Sequence, residues 1–341
     1  MSAATVDRAL AVLVVAMAAT GLLSLRAGHP EQGWLFVVHG VLAGALALTV
    51  ALKIRRSVPR AVGGRRYARL ALGLIVSLFA IAALSGGYLW VASGELIWVD
   101  AGALGRWTIL VLHAWAGLIL VPFVVVHLLP RRWRLLRPSR SGVARARGHL
   151  MTRRALVGGG ALAVAGVGLW ASAGAIERLV GGQRRFTGSR WLPAGGIPMA
   201  TTFFGEPTPP IDPSAWRLTV NGAVDRPADY DMAALEALGD IETKAVLDCT
   251  SGWALETTWR GVPLAAVLDA AGVSPVARRV EVRSVTGWGT SLDAADARRC
   301  LLAWSVAGQP LPAGNGAPLR LVAPDHRGLD WVKWVEAIRV E

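Results

Sequence analysis

Five apolar runs occupy the first half of the chain, at residues 9–25, 33–52, 70–92, 107–129 and 155–176. Each run is close to the about 20 residues that a helix needs to cross about 30 Å of hydrocarbon. A helix that stays apolar on every face for that length is typical of a membrane span. The pattern therefore predicts an all-α transmembrane bundle of about five helices, of which the first is the shortest.

Basic residues are concentrated in this apolar half. Residues 1–176 hold 19 Lys and Arg against 4 Asp and Glu, whereas residues 177–341 hold 17 against 19. A nucleic-acid-binding domain carries its basic excess on a folded surface, so we expect membrane lipid and no nucleic acid as a partner. The basic loops at 53–69 and 131–154 predict a cytoplasmic N-terminus in the cytoplasmic membrane, with the region after residue 176 on the outer face.

The fifth run is preceded by Thr152, Arg153 and Arg154, which resembles an internal, uncleaved twin-arginine export signal. The alternative is that both arginines belong to an ordinary basic loop. We expect three parts: a four-helix membrane domain at 1–150, the fifth helix and its linker at 151–180, and a separate folded domain at 181–341.

Three histidines lie inside apolar runs, where an ionisable residue is a functional candidate. His39 and His113 each lie six residues inside the predicted outer boundary, which is about 9 Å at 1.5 Å per residue. Two imidazoles at one depth in a bundle can bind one haem iron between them. Hydrogen bonding between helices without a metal is the alternative.

His127 follows His113 by 14 residues, about 21 Å further along the helix. This spacing resembles the two-haem helices of membrane b-type cytochromes, such as the cytochrome subunits of respiratory formate dehydrogenases. The inner ends of the first two helices offer no histidine for a second site. We therefore predict one haem b, and assign His127 to either a second haem or a quinone.

The second half has the mixed pattern of an α+β domain. Residues 216–220, 244–247, 280–285 and 319–322 resemble short strands. Helical periodicity is found at 264–271 and at 293–305. This combination predicts a mixed fold built on sheets.

A lone thiol, Cys249, follows one of these strands in the stretch Leu-Asp-Cys-Thr-Ser-Gly-Trp, residues 247–253. This stretch, with the one at 259–264, resembles the molybdenum-ligating segment of the sulfite oxidase superfamily. Residues 315–324 and 328–334 are similar to the family's pterin-binding stretch, and the resemblance spans about 195–341. The alternative for Cys249 is a disulfide with Cys300 in an oxidising compartment.

The resemblance implies a sulfite-oxidase-like domain with Mo-molybdopterin, in which Cys249 is the catalytic thiolate ligand of molybdenum. A thiolate suits such a soft metal. Asn315 stands where sulfite oxidases usually have His, and resembles the bacterial methionine-sulfoxide reductase branch. The residues implied in pterin binding are Thr201, Phe204, Ser284, Asn315, Arg320, Trp331, Val332 and Lys333.

Together these features predict a membrane-anchored oxidoreductase that transfers oxygen atoms at the outer face. Its haem b is expected to relay electrons to or from quinone or another carrier, with a small-molecule or methionine-sulfoxide-like substrate. Two alternatives remain open. One is a non-enzymatic membrane protein that keeps the fold and binds a ligand; the other is a haem-free molybdoenzyme with a separate cytochrome partner.

Overall fold

The computed structural model describes residues 3–63, 67–100, 102, 105–136 and 153–341. The chain divides into two compact units. The helical unit comprises Met1–Ser24 and Gly33–Gln183, and the sheet unit comprises Leu25–Gln32 and Arg184–Glu341.

The helical unit is built from long helices and one short hairpin. The helices are α1 (Ala3–Ser24), α2 (Trp34–Gly63), α3 (Tyr67–Ala92), α4 (Ile109–Leu136) and α5 (Arg153–Leu179), and the hairpin is β1 (Trp98–Asp100) with β2 (Arg106–Thr108). By length and composition, four described segments can cross a membrane: Pro30–Pro59, Leu70–Ala92, Ile109–Val126 and Leu156–Leu179. The first run forms a shorter apolar segment, Ala9–Ser24. An apolar helical region in the first half of the chain is thus confirmed.

The helices α1 to α4 form a closed ring. Helix α1 packs on α2, α2 on α3, α3 on α4, and α4 on α1, while α5 packs against α2 and α3. The α2–α5 contact depends on glycine, because a Cβ on Gly166 would lie 2.6 Å from the carbonyl oxygen of Val41. A Cβ on Gly44 would likewise lie 2.5 Å from the carbonyl oxygen of Gly166. These small residues let the two helix backbones touch.

The sheet unit contains two sheets and short helices. The six-stranded sheet holds β3 (Arg190–Trp191), β6 (Ile241–Cys249), β7 (Trp253–Pro263), β10 (Leu301–Val306), β11 (Gln309–Pro310) and β12 (Arg320–Val322). The five-stranded sheet has the order β5 (Ala228–Tyr230), β4 (Leu218–Gly222), β13 (Val335–Val340), β8 (Arg279–Ser284) and β9 (Gly289–Asp293). The helices are α6 (Met232–Leu238), α7 (Leu264–Ala271) and α8 (Ala294–Ala297). A helical region followed by a mixed α/β unit is therefore confirmed.

Strand β7 organises the six-stranded sheet. It pairs antiparallel with β6 from Cys249 opposite Trp253 to Ile241 opposite Gly261, and on its other side with β10 and β3. The largest fully buried side chains of this unit are tryptophans: Trp253, Trp259, Trp331 and Trp334. The core therefore lies beside the stretches that carry the sequence motifs.

The helix predicted over 293–305 is wrong. Helix α8 ends at Ala297, and Leu301–Val306 forms strand β10. Residues 301–303 are buried, so their apolar run cannot distinguish a buried strand from a buried helix. Pairing with β7 and β12 decides in favour of the strand, and places Cys300 before β10 instead of within a helix.

Candidate active site

Cys249 ends strand β6 at a tight turn into β7. Gly252 adopts a positive φ of 100°, which favours glycine, and its N–H donates to the carbonyl of Cys249 at 2.9 Å. The N–H of Ser251 donates to the Cys249 Sγ at 3.4 Å. Cys249 and Cys300 are both buried free thiols, so the disulfide alternative is not what the structure contains. The backbone of this turn thus fixes the position of the Cys249 sulfur.

Thr201 brings a distant segment against this sulfur. Its Oγ1 lies 3.4 Å from the Cys249 Sγ and accepts a hydrogen bond from Trp253 Nε1 at 3.1 Å. The ammonium of Lys333 donates to the carbonyl oxygens of Thr201, at 3.2 Å, and of Gly314, at 2.7 Å. The thiol therefore lies among groups from three separate parts of the chain.

Arg320 lies beside two tryptophan rings that also contact each other. Its guanidinium carbon is 5.5 Å from the ring centroid of Trp259 and 5.9 Å from that of Trp331. Its Nη1 donates to the carbonyl of Asn315 at 2.8 Å, and Asn315 Nδ2 donates to the carbonyl of Pro198 at 2.7 Å. Arg320 Nε and Trp259 Nε1 are buried without a hydrogen-bond partner. Two donors are thus available to a ligand.

The charged forms of Arg320 and Lys333 are both destabilised by their surroundings. Burial lowers the pKa of Arg320 to about 10. Burial, and then the charge of Arg320, lowers the pKa of Lys333 to about 8. The Cys249 sulfur acts on both cations in the opposite direction, so the three groups share one environment. An anionic group would stabilise both cations.

These residues fit a phosphate-bearing pterin cofactor. A thiolate is a suitable ligand for a soft metal, and a buried arginine with a vacant donor suits phosphate. The Nε of Arg320 has no hydrogen-bond partner, and burial lowers the pKa of Lys333 to about 8, so an anion would stabilise both cations. The sequence prediction that Cys249, Thr201, Asn315, Arg320 and Lys333 belong to one site is consistent with this geometry.

The other residues of the predicted set occupy two further places. Trp331 and Val332 are buried, and the carbonyl of Val332 accepts a hydrogen bond from the N–H of Leu321 at 2.8 Å. Phe204 is 49% exposed, and its ring lies 5.7 Å from that of Trp288. The N–H of Ser284 donates to the carbonyl of Trp288 at 2.8 Å. Ser284 and Phe204 therefore group around Trp288.

Asp248 is a residue of the site to which the sequence prediction gave no role. Its side chain is fully buried and accepts three hydrogen bonds, from Arg185 at 2.8 Å, Thr187 at 2.7 Å and Ser189 at 2.6 Å. The N–H of Gly328 donates to its backbone carbonyl at 2.7 Å. A carboxylate directly after the apolar run at 245–247 of β6 was the available signal, because a buried charge needs partners.

The helical unit brings two of the predicted histidines together. The rings of His39, on α2, and His113, on α4, are 6.0 Å apart between centroids. His113 Nδ1 lies 2.6 Å from the carbonyl of Ala83, so it carries a proton and donates. His39 Nδ1 lies 2.8 Å from Thr20 Oγ1.

The hydroxyl of Thr20 has several possible partners for its single proton. Its Oγ1 lies 2.8 Å from the carbonyl of Ala16, 3.2 Å from that of Met17 and 2.8 Å from His39 Nδ1. On His113, the proton on Nδ1 leaves Nε2 as the nitrogen with a lone pair. No cluster of three or more potential metal ligands occurs in the part of the chain that the structure describes. The side chains of His127, Arg153 and Arg154 lie outside the described residues.

The sheet unit is similar to known proteins. Residues 205–341 match the family model of the oxidoreductase molybdopterin binding domain. The chain is 34% identical over 131 residues to the uncharacterized oxidoreductase YuiH of Bacillus subtilis (strain 168), covering 38% of this chain and 66% of that protein. It is 32% identical over 148 residues to the protein-methionine-sulfoxide reductase catalytic subunit MsrP of Gluconobacter oxydans (strain 621H), covering 38% and 47%.

A solved structure is also similar. The sulfane dehydrogenase SoxCD from Paracoccus pantotrophus matches with a TM-score of 0.38 and 25% identity, covering 39% of this chain and 40% of that one. The chain thus spans less than two thirds of the length of each of these relatives.

Proposed function

We propose that this chain, of which residues 205–341 match the family model of the oxidoreductase molybdopterin binding domain, is a membrane-anchored molybdenum-cofactor enzyme that transfers oxygen atoms. The observation that carries the proposal is the free thiol of Cys249, buried beside two cations whose pKa values burial has lowered. The alternative of a non-catalytic binding protein accounts less well for a thiol in that position.

Each residue has a defined task in the proposal. Cys249 is the protein ligand of molybdenum, and the bound cofactor supplies two-electron oxygen-atom chemistry. Arg320 and Lys333 bind the anionic part of the pterin, and Asn315 positions Arg320 through its carbonyl. Buried Trp331 and Val332 exclude water from the site. Thr201 contacts the sulfur, and Ser284 and Phe204 line the pterin from the side of Trp288.

For the substrate, we propose a sulfoxide of the methionine type. Support comes from Asn315 and from the named activity of the Gluconobacter relative. In the reductive direction, a sulfoxide takes up two electrons and two protons, its S–O bond breaks, and a thioether and water are formed. We propose that the helical unit supplies these electrons.

The helical unit is proposed to bind one haem b between His39 and His113. The ring centroids are 6.0 Å apart, which leaves room for one metal ion between the two rings, because a metal–nitrogen bond is about 2 Å long. Glycines flank the rings: a Cβ on Gly87 would lie 3.0 Å from the ring of His113, and one on Gly21 would lie 3.4 Å from that of His39. Quinone is the proposed electron donor, with His127 assigned to its site or to a second haem.

The haem is tested by the reduced-minus-oxidised spectrum of the purified protein. A b-type band that disappears in both His39→Ala and His113→Ala supports the proposal, with His29→Ala as the control that keeps it. A wild-type protein with no b-type band favours the haem-free enzyme with a separate cytochrome partner. Retention of the band in both variants contradicts the assignment of these histidines.

We place the sheet unit on the outer face of the cytoplasmic membrane, reached through twin-arginine export, with domain boundaries near residues 150 and 180. The basic loops at 53–69 and 131–154 support this topology. Replacing Arg153 and Arg154 by Lys is expected to leave the sheet unit protected from protease added to spheroplasts. Equal protease sensitivity of wild type and variant argues against the export signal.

The central experiment measures molybdenum and pterin in detergent-purified protein, together with the reduction of a methionine sulfoxide. Cys249→Ser should lose most molybdenum and nearly all turnover, whereas Cys300→Ala should keep both. Stoichiometric molybdenum and full turnover in Cys249→Ser would contradict the assignment of Cys249 as the molybdenum ligand. A wild-type protein without molybdenum would favour the binding-protein alternative.

A further inference from the structure

The hydroxyl of Thr201 lies between an indole and the Cys249 sulfur. Its Oγ1 is 3.1 Å from Trp253 Nε1 and 3.4 Å from the Cys249 Sγ. Trp253 is 1% exposed and faces Cys249 across the β6–β7 pair. The three polar atoms therefore form a short chain inside the protein.

The direction of hydrogen bonding in this chain follows from donor chemistry. An indole nitrogen only donates, so the Thr201 oxygen must accept from Trp253. The hydroxyl has one proton, and the oxygen's contact with Trp253 leaves that proton free for the sulfur. A thiolate has no proton to donate, so in that form the Cys249 sulfur can accept from both the Thr201 hydroxyl and the N–H of Ser251.

The backbone of Thr201 is held as firmly as its side chain. Lys333 donates to its carbonyl at 3.2 Å, and the same ammonium donates to the carbonyl of Gly314 at 2.7 Å. Thr201 is thereby tied to the stretch that carries the pterin-binding residues, 132 residues further along the chain. A hydroxyl with this many restraints keeps its distance to the sulfur.

We propose that Trp253 orients the Thr201 hydroxyl as a donor to the Cys249 thiolate, which makes Thr201 a positioning residue that tunes the sulfur as a metal ligand. The inference rests on the proposed function, in which Cys249 binds molybdenum. Hydrogen bonds to a ligating sulfur withdraw charge from it, so they weaken its donation to the metal and raise the reduction potential. Trp253 acts through Thr201 and does not touch the sulfur in this role.

The test is a redox titration of the molybdenum in the full-length, detergent-purified holoenzyme, followed by electron paramagnetic resonance. Thr201→Val keeps the shape of the side chain and removes the hydroxyl. We expect its molybdenum potential to fall below that of wild type, with an altered spectrum. Thr201→Ser should restore the wild-type potential, and Trp253→Phe should shift it in the same direction as Thr201→Val, by a smaller amount.

Several outcomes separate this inference from the proposed function. If Thr201→Val binds molybdenum with the wild-type potential and spectrum, the inference is overturned while the function of Cys249 stands. If Thr201→Val loses molybdenum while Thr201→Ser retains it, the need for the hydroxyl is supported. If both variants lose molybdenum, Trp253→Phe decides, and a wild-type potential in that variant overturns the role of the indole. Absence of molybdenum from wild type, or an unchanged spectrum in Cys249→Ser, contradicts the proposed function itself.

Discussion

Asp248 and Arg327 are joined through both their backbones and their side chains. Their backbones form an isolated parallel bridge, and Arg327 Nη2 lies 3.6 Å from Asp248 Oδ1. The next residue, Gly328, packs so closely that a Cβ there would lie 3.0 Å from the Cα of Cys249. The loop after β12 is therefore fastened directly behind the thiol, and Asp248 is the residue that holds it.

We predict that Asp248→Ala destabilises the protein by about 3–5 kcal/mol, because it leaves the buried Arg327 and the half-buried Arg185 without their counter-charge. The melting temperature of detergent-solubilised protein measures the loss, and molybdenum content should fall with it. Asp240→Ala is the matched control, since it removes an exposed ion pair with Arg260 and should change little. Equal melting temperatures for the two variants would refute the role of Asp248.

We predict that the cofactor is held less tightly above about pH 8. The pKa of Lys333 is lowered to about 8 by burial, and an anionic ligand prefers its charged form. Binding therefore requires proton uptake above that pH, and affinity should fall by up to about tenfold per pH unit. Pterin release from holoenzyme between pH 7 and 9.5 measures this.

Two lysine variants control the pH experiment. Lys333→Met should release pterin faster at pH 7 and lose the pH dependence in this range. Lys244→Met changes an exposed lysine on β6 and should behave as wild type. The same steep pH dependence in Lys333→Met would show that another group titrates.

Cys300 is predicted to limit stability at alkaline pH. Burial, and then the charge of Asp296, raises its pKa from 9.0 to about 12, so the folded state keeps the thiol protonated when the unfolded chain has lost that proton. This contribution is complete below pH 9 and is lost from there to about pH 12, at up to about 1.4 kcal/mol per pH unit. The difference in unfolding free energy between wild type and Cys300→Ala should therefore narrow between pH 8.5 and 10.5. A constant difference would refute the assignment.

The α2–α5 contact predicts opposite effects for two neighbouring glycines. Gly166→Ala should lower the melting temperature, by the equivalent of about 1–3 kcal/mol, because its Cβ would meet the backbone of α2. Gly168→Ala lies on the same helix and would meet nothing within 4 Å, so it should be neutral or slightly stabilising. A loss of stability in Gly168→Ala alone would contradict the packing.

Local sequence determined much of this architecture. The apolar runs predicted the helices because about 20 apolar residues suffice to indicate a span, wherever the partners lie. Residues 264–271 were predicted as a helix and form α7 at those bounds. The stretch around Cys249 could be compared with a known family from sequence alone, because its motif residues are neighbours in the chain, and the role of Cys249 as a metal ligand stays a prediction.

Only the tertiary structure decided which residues that are distant in the sequence contact each other at the candidate site. Thr201 contacts the Cys249 sulfur although the two residues are 48 positions apart in the sequence. Arg327 pairs with Asp248 although several strands lie between them in the sequence. Residues 301–306 became a strand through pairing with β7 and β12, against their local helical pattern. Periodicity records only which faces are apolar, whereas hydrogen-bond partners and backbone approach depend on which distant segments pack together.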